Sequence, residues 1–165
     1  MAITAAQVKE LRDATNVSMM ECKNALEDCG GNMDEAFKVL RERGMAVAAK
    51  RADKEANQGI ISASASADNK TLAMVEVNCE TDFAARNDSF KEFVQSVSDK
   101  ALETDEPLSK VMEEDLIKKV ASIGENLKIR RNVRYQLAGS GRLGSYIHMG
   151  GKVGVLIEVA CQNQS

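Results

Sequence analysis

The sequence predicts an α+β protein: a bundle of three short helices, then a core of antiparallel sheet and helices in two related subdomains, the second incomplete. Three observations carry that prediction. Apolar residues at helical spacing, punctuated by capping residues and paired glycines, fill residues 1–45. Strand-forming runs joined by short turns then appear twice, with two amphipathic helical patterns between them. The two strand pairs look like duplicates, since Ala73-Met74-Val75-Glu76-Val77-Asn78-Cys79 aligns with Val155-Leu156-Ile157-Glu158-Val159-Ala160-Cys161 and matches at Glu, Val and Cys in register.

In chain order, Thr4 with Gln7 forms a capping-box pattern, and Val8 and Leu11 share one face of a first helix ending near Thr15. Ser18 with Glu21 repeats the device and opens a second helix at about Met19, which Gly30-Gly31 stops. Met19 and Met20 are about 100° apart on that helix, so one is expected to be buried and the other exposed. Asn32, with Asp34 and Glu35 in the first turn, opens a third helix that carries Ala36, Val39 and Leu40 and is expected to end at Gly44. So small a bundle has little core and gains from docking on something else. Residues 46–58 shift to alanine, with Lys50, Arg51 and Lys54 interleaved with Asp53 and Glu55. A solvated linker helix fits that pattern better than an RNA site, because no aromatic accompanies the charges.

A first subdomain is expected over 59–139. Ile60 to Ala67, the turn Asp68-Asn69-Lys70 and Thr71 to Asn78 read as a hairpin. Phe90, Phe93, Val94, Val97 and Ala101 then recur at helical spacing, and after Pro107 so do Leu108, Val111, Met112, Leu116, Val120 and Ile123. Asn126 to Leu137 returns as a strand, on which Arg130 and Arg134 alternate onto one face and are expected to form salt bridges. Residues 140–165 begin a second subdomain, with a hairpin of Ser145 to Met149 and Lys152 to Ala160 around Gly150-Gly151. The first copy continues into helices that cover its sheet, whereas the second reads Gln162-Asn163-Gln164-Ser165 and stops. An open apolar face is therefore expected, with either a truncated chain or a partner that completes the fold.

With 165 residues, 44% of them hydrophobic and 28% charged, the composition is that of an ordinary globular protein. A net charge of -3 argues against a partner chosen by bulk negative charge, so no direct contact with nucleic acid is expected. The N-terminus has neither the basic start nor the apolar stretch of a signal peptide, and no apolar run is long enough to cross a bilayer. A cytoplasmic protein, or one of an organelle of bacterial descent, is the expectation, with no membrane partner. The four cysteines, Cys22, Cys29, Cys79 and Cys161, form no Cys-x-x-Cys pair, and the single histidine, His148, is remote from all but the last. Neither zinc nor another cofactor is expected. Cys22 and Cys29 are roughly 10 Å apart along a helix, beyond the reach of a disulfide, so reduced thiols are expected.

Glu76-Val77-Asn78-Cys79-Glu80-Thr81-Asp82-Phe83-Ala84-Ala85-Arg86 runs an apolar strand into a polar turn that sets an acid beside an aromatic. Thr81 or Asp82 is a good N-cap for the helix that Phe83 begins, so the ring projects from a fixed corner as an anchor for a partner. Capping preference alone favours the plainer reading, in which Phe83 folds into the core. A thiol-dependent redox role is the poorest reading. Only Cys79 lies near a helix start, and Glu80 and Asp82 beside it disfavour the thiolate.

With that corner, with Leu11-Arg12-Asp13-Ala14-Thr15 followed by Met19-Met20-Glu21-Cys22-Lys23-Asn24-Ala25-Leu26, and with Ile123-Gly124-Glu125-Asn126 before Arg130-Arg131, the chain resembles the elongation factor Ts family along essentially its whole length. The resemblance implies a ubiquitin-associated-like N-terminal domain and a core of two related α+β subdomains. It also implies a guanine-nucleotide exchange factor for elongation factor Tu, without covalent chemistry of its own. Thr81, Asp82, Phe83 and Ala84 match the residues implicated in dislocating the partner's magnesium, with Phe83 as wedge and Asp82 as the polar group that rearranges hydrogen bonds. Arg12, Met19, Met20 and Lys23 map to the N-terminal contact with the G domain. The second hairpin, including His148, would face another domain of the partner, although His148 fits a plain surface role equally well. The family usually has a small or acidic residue where Asn16 stands, and Val where Ala84 stands. An adapter that recognises ubiquitin-like partners through the first 45 residues, without exchange activity, is the alternative.

Overall fold

The computed structural model describes residues 3–15 and 17–161; Asn16, one of the two departures from the family pattern, lies outside them. In chain order the elements are α1 (Ala5–Thr15), α2 (Met19–Asp28), α3 (Met33–Arg51), β1 (Gln58–Ala65), β2 (Thr71–Cys79), α4 (Asp82–Arg86), α5 (Asp88–Lys100), α6 (Leu108–Val111), α7 (Glu113–Ile123), β3 (Lys128–Gln136), β4 (Gly141–His148) and β5 (Val153–Ala160). The α+β class expected from the sequence is the class observed. The chain divides into two compact units, Met1–Lys54 with Glu114–Asn126, and Glu55–Glu113 with Leu127–Ser165.

In the first unit the helix starts follow their caps. The Thr4 amide donates to Gln7 Oε1 at 3.0 Å, Ser18 Oγ accepts from the Glu21 amide at 3.3 Å, and Asn32 Oδ1 accepts from the amides of Asp34 and Glu35. Gly31, at φ 90°, donates its amide to the Leu26 carbonyl at 2.8 Å and closes α2. Leu11, Cys22, Ala25, Leu26, Ala36 and Leu40 then meet in one small core. The third helix does not stop at Gly44 but runs on to Arg51. Gly44 is buried, and a Cβ there would lie 3.4 Å from the Ala121 Cβ on α7, so this glycine packs beside a neighbouring helix rather than ending its own. A mid-helix glycine costs about 1 kcal/mol, which the flanking helix formers and that packing offset. Asn126 Nδ2 donates to the Ala52 and Lys54 carbonyls at 3.3 and 2.6 Å, satisfying the chain where α3 ends.

In the second unit β1, β2 and β3 form one antiparallel sheet with β2 central, and β4 pairs with β5 in a two-stranded sheet. Ala73, Val75, Val77 and Cys79 of β2 are buried, as are Phe90, Phe93, Val94 and Val97 of α5, which packs on β1 and β2. Ser62 and Ser64 of β1 donate to Gln95 and Asp99 of the same helix, which fixes its direction over the sheet. At the outer edge of β1, Ile61 donates its amide to the Gly151 carbonyl at 2.7 Å, and on the sheet face opposite α5 a Cβ on Gly154 would come 2.7 Å from Ile61 Cγ2. The duplicated segment therefore has different cover in its two copies. Val155, Ile157 and Val159, the counterparts of Ala73, Val75 and Val77, are 50%, 54% and 48% exposed, so the expected open apolar face is present.

Two local expectations need correction. Arg130 and Arg134 do not act on one face. The β2–β3 register shifts between Glu76 and Val77, paired with Arg131 and Ile129, so that Arg130 is an extra residue on β3. Arg130 Nη1 and Arg131 Nε consequently both reach Glu76, at 2.9 and 2.7 Å, while Arg134 makes a two-point bond to Asp105. Burial pushes the Glu76 carboxyl up, but the hydrogen bonds and charges of Arg130 and Arg131 outweigh it and hold the group below the usual carboxylate range. The helical pattern after Pro107 is likewise broken in two at Met112.

Candidate functional site

The corner is built from the strand outward. Cys79, fully buried at the end of β2, donates its thiol to the Thr81 carbonyl at 3.1 Å, and Thr81 is held extended at φ -121°, ψ 158°. From there Thr81 Oγ1 accepts the Ala84 amide at 3.2 Å and its carbonyl accepts the Ala85 amide, so Thr81 is the N-cap of α4. The helix is one turn long. Asn87, at φ -64° and ψ 132°, ends it and at once caps α5 by accepting the Ser89 amide at 2.8 Å. Ala84 and Ala85 are buried and seat the turn against the sheet.

Two small side chains turned inward leave their neighbours turned outward. Phe83 is 79% exposed, the most exposed of the large apolar side chains among the described residues. The plainer reading, with Phe83 in the core, is overturned: a ring next to two inward-facing alanines on a single turn has no path to the interior. Asp82 stands beside it, half-exposed, its Oδ2 2.9 Å from Arg86 Nη2. Of the four residues expected at this site, Asp82 and Phe83 form the outward surface, Thr81 fixes the corner, and Ala84 backs it from inside. Arg86 was passed over in sequence reasoning, although the acid–base spacing of four along a helix signals the pair.

The N-terminal candidates border the α1–α2 turn. Arg12 is exposed in the last turn of α1, and Lys23 on α2 pairs with Glu27 at 3.6 Å. Met19 and Met20 are 47% and 65% exposed, so neither is buried, contrary to the expectation of one in and one out. The buried stripe of α2 is Cys22, Ala25 and Leu26; Met20 lies on the far side of the helix from it, and Met19 sits at its edge in the first turn. The result is a soft apolar surface beside a cation. His148, exposed on β4, has its Nδ1 3.0 Å from the Tyr146 hydroxyl, and the two rings stack at 5.7 Å between centroids. Tyr146, two residues away and hence on the same strand face, is the other side chain the sequence reading missed.

Among the described residues no three His, Cys, Asp or Glu side chains converge as metal ligands would. None of the four cysteines is in a disulfide. Cys22 is buried, which raises its pKa, and the Thr15 hydroxyl 3.7 Å away offsets that only in part. Cys79 is buried with its thiol committed to a carbonyl, an arrangement that suits an inert thiol.

The corner thus presents an acid and an aromatic, on a capped strand-to-helix turn, from a packed α+β unit. Comparison with known proteins gives the family. The family model for elongation factor TS matches residues 80–165. The chain is 44% identical to elongation factor Ts of Nitratiruptor sp., an alignment that covers 99% of this chain and 57% of the relative. It is 44% identical to elongation factor Ts of Trichlorobacter lovleyi, over 98% and 56%, and 43% identical to that of Clostridium perfringens, over 99% and 57%. The chain belongs to the elongation factor Ts family. It spans somewhat more than half the length of these curated relatives.

Proposed function

We propose that this chain acts in translation elongation as a guanine-nucleotide exchange factor for elongation factor Tu. Family membership supports the role, and the observation that carries the mechanism is Phe83, 79% exposed on a corner whose backbone is capped at both ends and seated by buried alanines. A ring presented at that exposure gains about 1.5–3 kcal/mol when it is buried in a partner, without an internal contact being given up first. A GTPase holds GDP through backbone amides on the phosphates and a bridging magnesium. Phe83 enters a gap in the G domain and parts the elements carrying those ligands, and Asp82 takes up the hydrogen bonds that rearrange beside the magnesium. Arg12, Met19, Met20 and Lys23 grip the same domain, and the β4–β5 hairpin with His148 meets another. Linkage requires that GDP weaken the factor's binding by the ratio in which the factor weakens GDP's, so the complex is transient. No bond is made or broken by this chain, and the work is done in the cytoplasm, a reading that similarity to bacterial relatives supports.

The test is the rate of release of labelled GDP from purified elongation factor Tu with and without the chain. Acceleration is expected. Binding without acceleration would refute the exchange reading and leave an adapter without exchange activity, and neither binding nor acceleration would remove elongation factor Tu as the partner.

A further inference from the structure

The outward surface of the corner carries a third side chain. Arg86, at the last position of α4, is a turn away from Asp82 at the first and makes the 2.9 Å ion pair with it. Around the helix axis Arg86 lies roughly 40° from Asp82 and roughly 60° from Phe83, between the two. The N-terminal amides of α4 do not need the Asp82 carboxylate, because Thr81 already accepts the Ala84 amide. Among the described residues, Arg86 is the group that holds that carboxylate. An acid at the N-terminal end and a base at the C-terminal end is also the favourable order along a helix.

We propose that Arg86 is a positioning residue for exchange: its guanidinium holds the Asp82 carboxylate on the outward face beside Phe83, so that acid and ring meet the partner together. This rests on the reading of the corner as the exchange element. Arg86 is exposed and Asp82 half-exposed, the pair is therefore weak, and Asp82 can be handed from Arg86 to the partner at little cost as the corner engages. Without the cation, Asp82 must be fixed at the moment of encounter, and the rate falls by the fraction of time it is misplaced.

The experiment is a double-mutant cycle on GDP release from elongation factor Tu, using the whole chain as wild type, Arg86→Met, Asp82→Asn, the double variant and Arg86→Lys. Arg86→Met is expected to lower the acceleration about twofold, the factor that an exposed i,i+4 ion pair of ordinary strength corresponds to. In the Asp82→Asn background the same change is expected to have no effect. Arg86→Lys should restore most of the loss, and the difference between wild type and Arg86→Met should shrink as salt is raised to about 1 M, where screening acts over about 3 Å. Unaltered thermal melts for all five proteins separate this role from a structural one. Wild type that accelerates release while Arg86→Met matches it, or lowers the rate equally with and without Asp82, overturns the assignment of Arg86 alone. Wild type that does not accelerate release overturns the exchange reading, and Arg86 with it.

Discussion

Glu76→Gln removes one negative charge while keeping the side chain's shape, and its cost follows from the geometry. The Glu76 side chain is 13% exposed and takes a bond from each of two arginines, whose own side chains are 65% and 73% exposed. Hydrogen bonds to a charged group are each worth about 1.5–3 kcal/mol when buried, but exposed pairs fall to about 0–1 kcal/mol, so two bonds with one buried partner come to about 1–2 kcal/mol. Urea unfolding at pH 7, followed by circular dichroism, should show that loss as a lower midpoint with an unchanged slope. The pH dependence adds a second constraint. The folded-state pKa of Glu76 is depressed, so its contribution is fully present above the unfolded value of about 4.3 and disappears as pH falls through the lower, folded value. Wild type and Glu76→Gln should therefore differ at pH 7 and converge in acid. Equal stability at pH 7, or a gap that persists in acid, would show that the double ion pair does not stabilise the sheet.

Other expectations concern what anchors the corner. Phe90→Ala, at a fully buried ring, should cost about 3–5 kcal/mol in the same unfolding assay, whereas Phe83→Ala should stay within about 0.5 kcal/mol because most of that ring is already in water. Thr81→Ala should lower stability by about 1 kcal/mol through loss of the cap and also reduce GDP release, since it loosens the turn that presents Phe83. Gly59→Ala should destabilise far more than an exposed glycine replacement, because φ is 144° and the new Cβ would lie 2.2 Å from the Val77 carbonyl oxygen; a thermal melt decides it.

The parts legible in the sequence are those fixed by neighbours along the chain. Thr4, Ser18 and Asn32 cap helices through amides two or three residues away, and the short, nearly continuous apolar run from Leu72 to Val77 after a turn declares a strand by itself. The Thr81 corner was legible for the same reason, and the duplicated segment pointed to the bare face of β5. What was not legible depends on contacts distant in sequence. Gly44 carries the same local signal as a helix stop, and only Ala121, on a helix far along the chain, makes it a packing position. The extra residue at Arg130 is invisible to strict alternation, because a bulge is a property of two strands and not of one. One of Met19 and Met20 is expected to be buried because angular position alone does not reveal how far a first-turn residue is covered. The Asp82–Arg86 pair was readable from spacing but was hidden behind the stronger signal of the acid beside the ring.

The most direct test of the account is the effect of Phe83→Ala on GDP release from elongation factor Tu, measured by stopped-flow with a fluorescent nucleotide beside a thermal melt of the same variant. The account predicts that most of the acceleration is lost, that binding to nucleotide-free elongation factor Tu is weakened less, and that the melt is unchanged. A variant that melts like the wild type and releases GDP just as fast would contradict it.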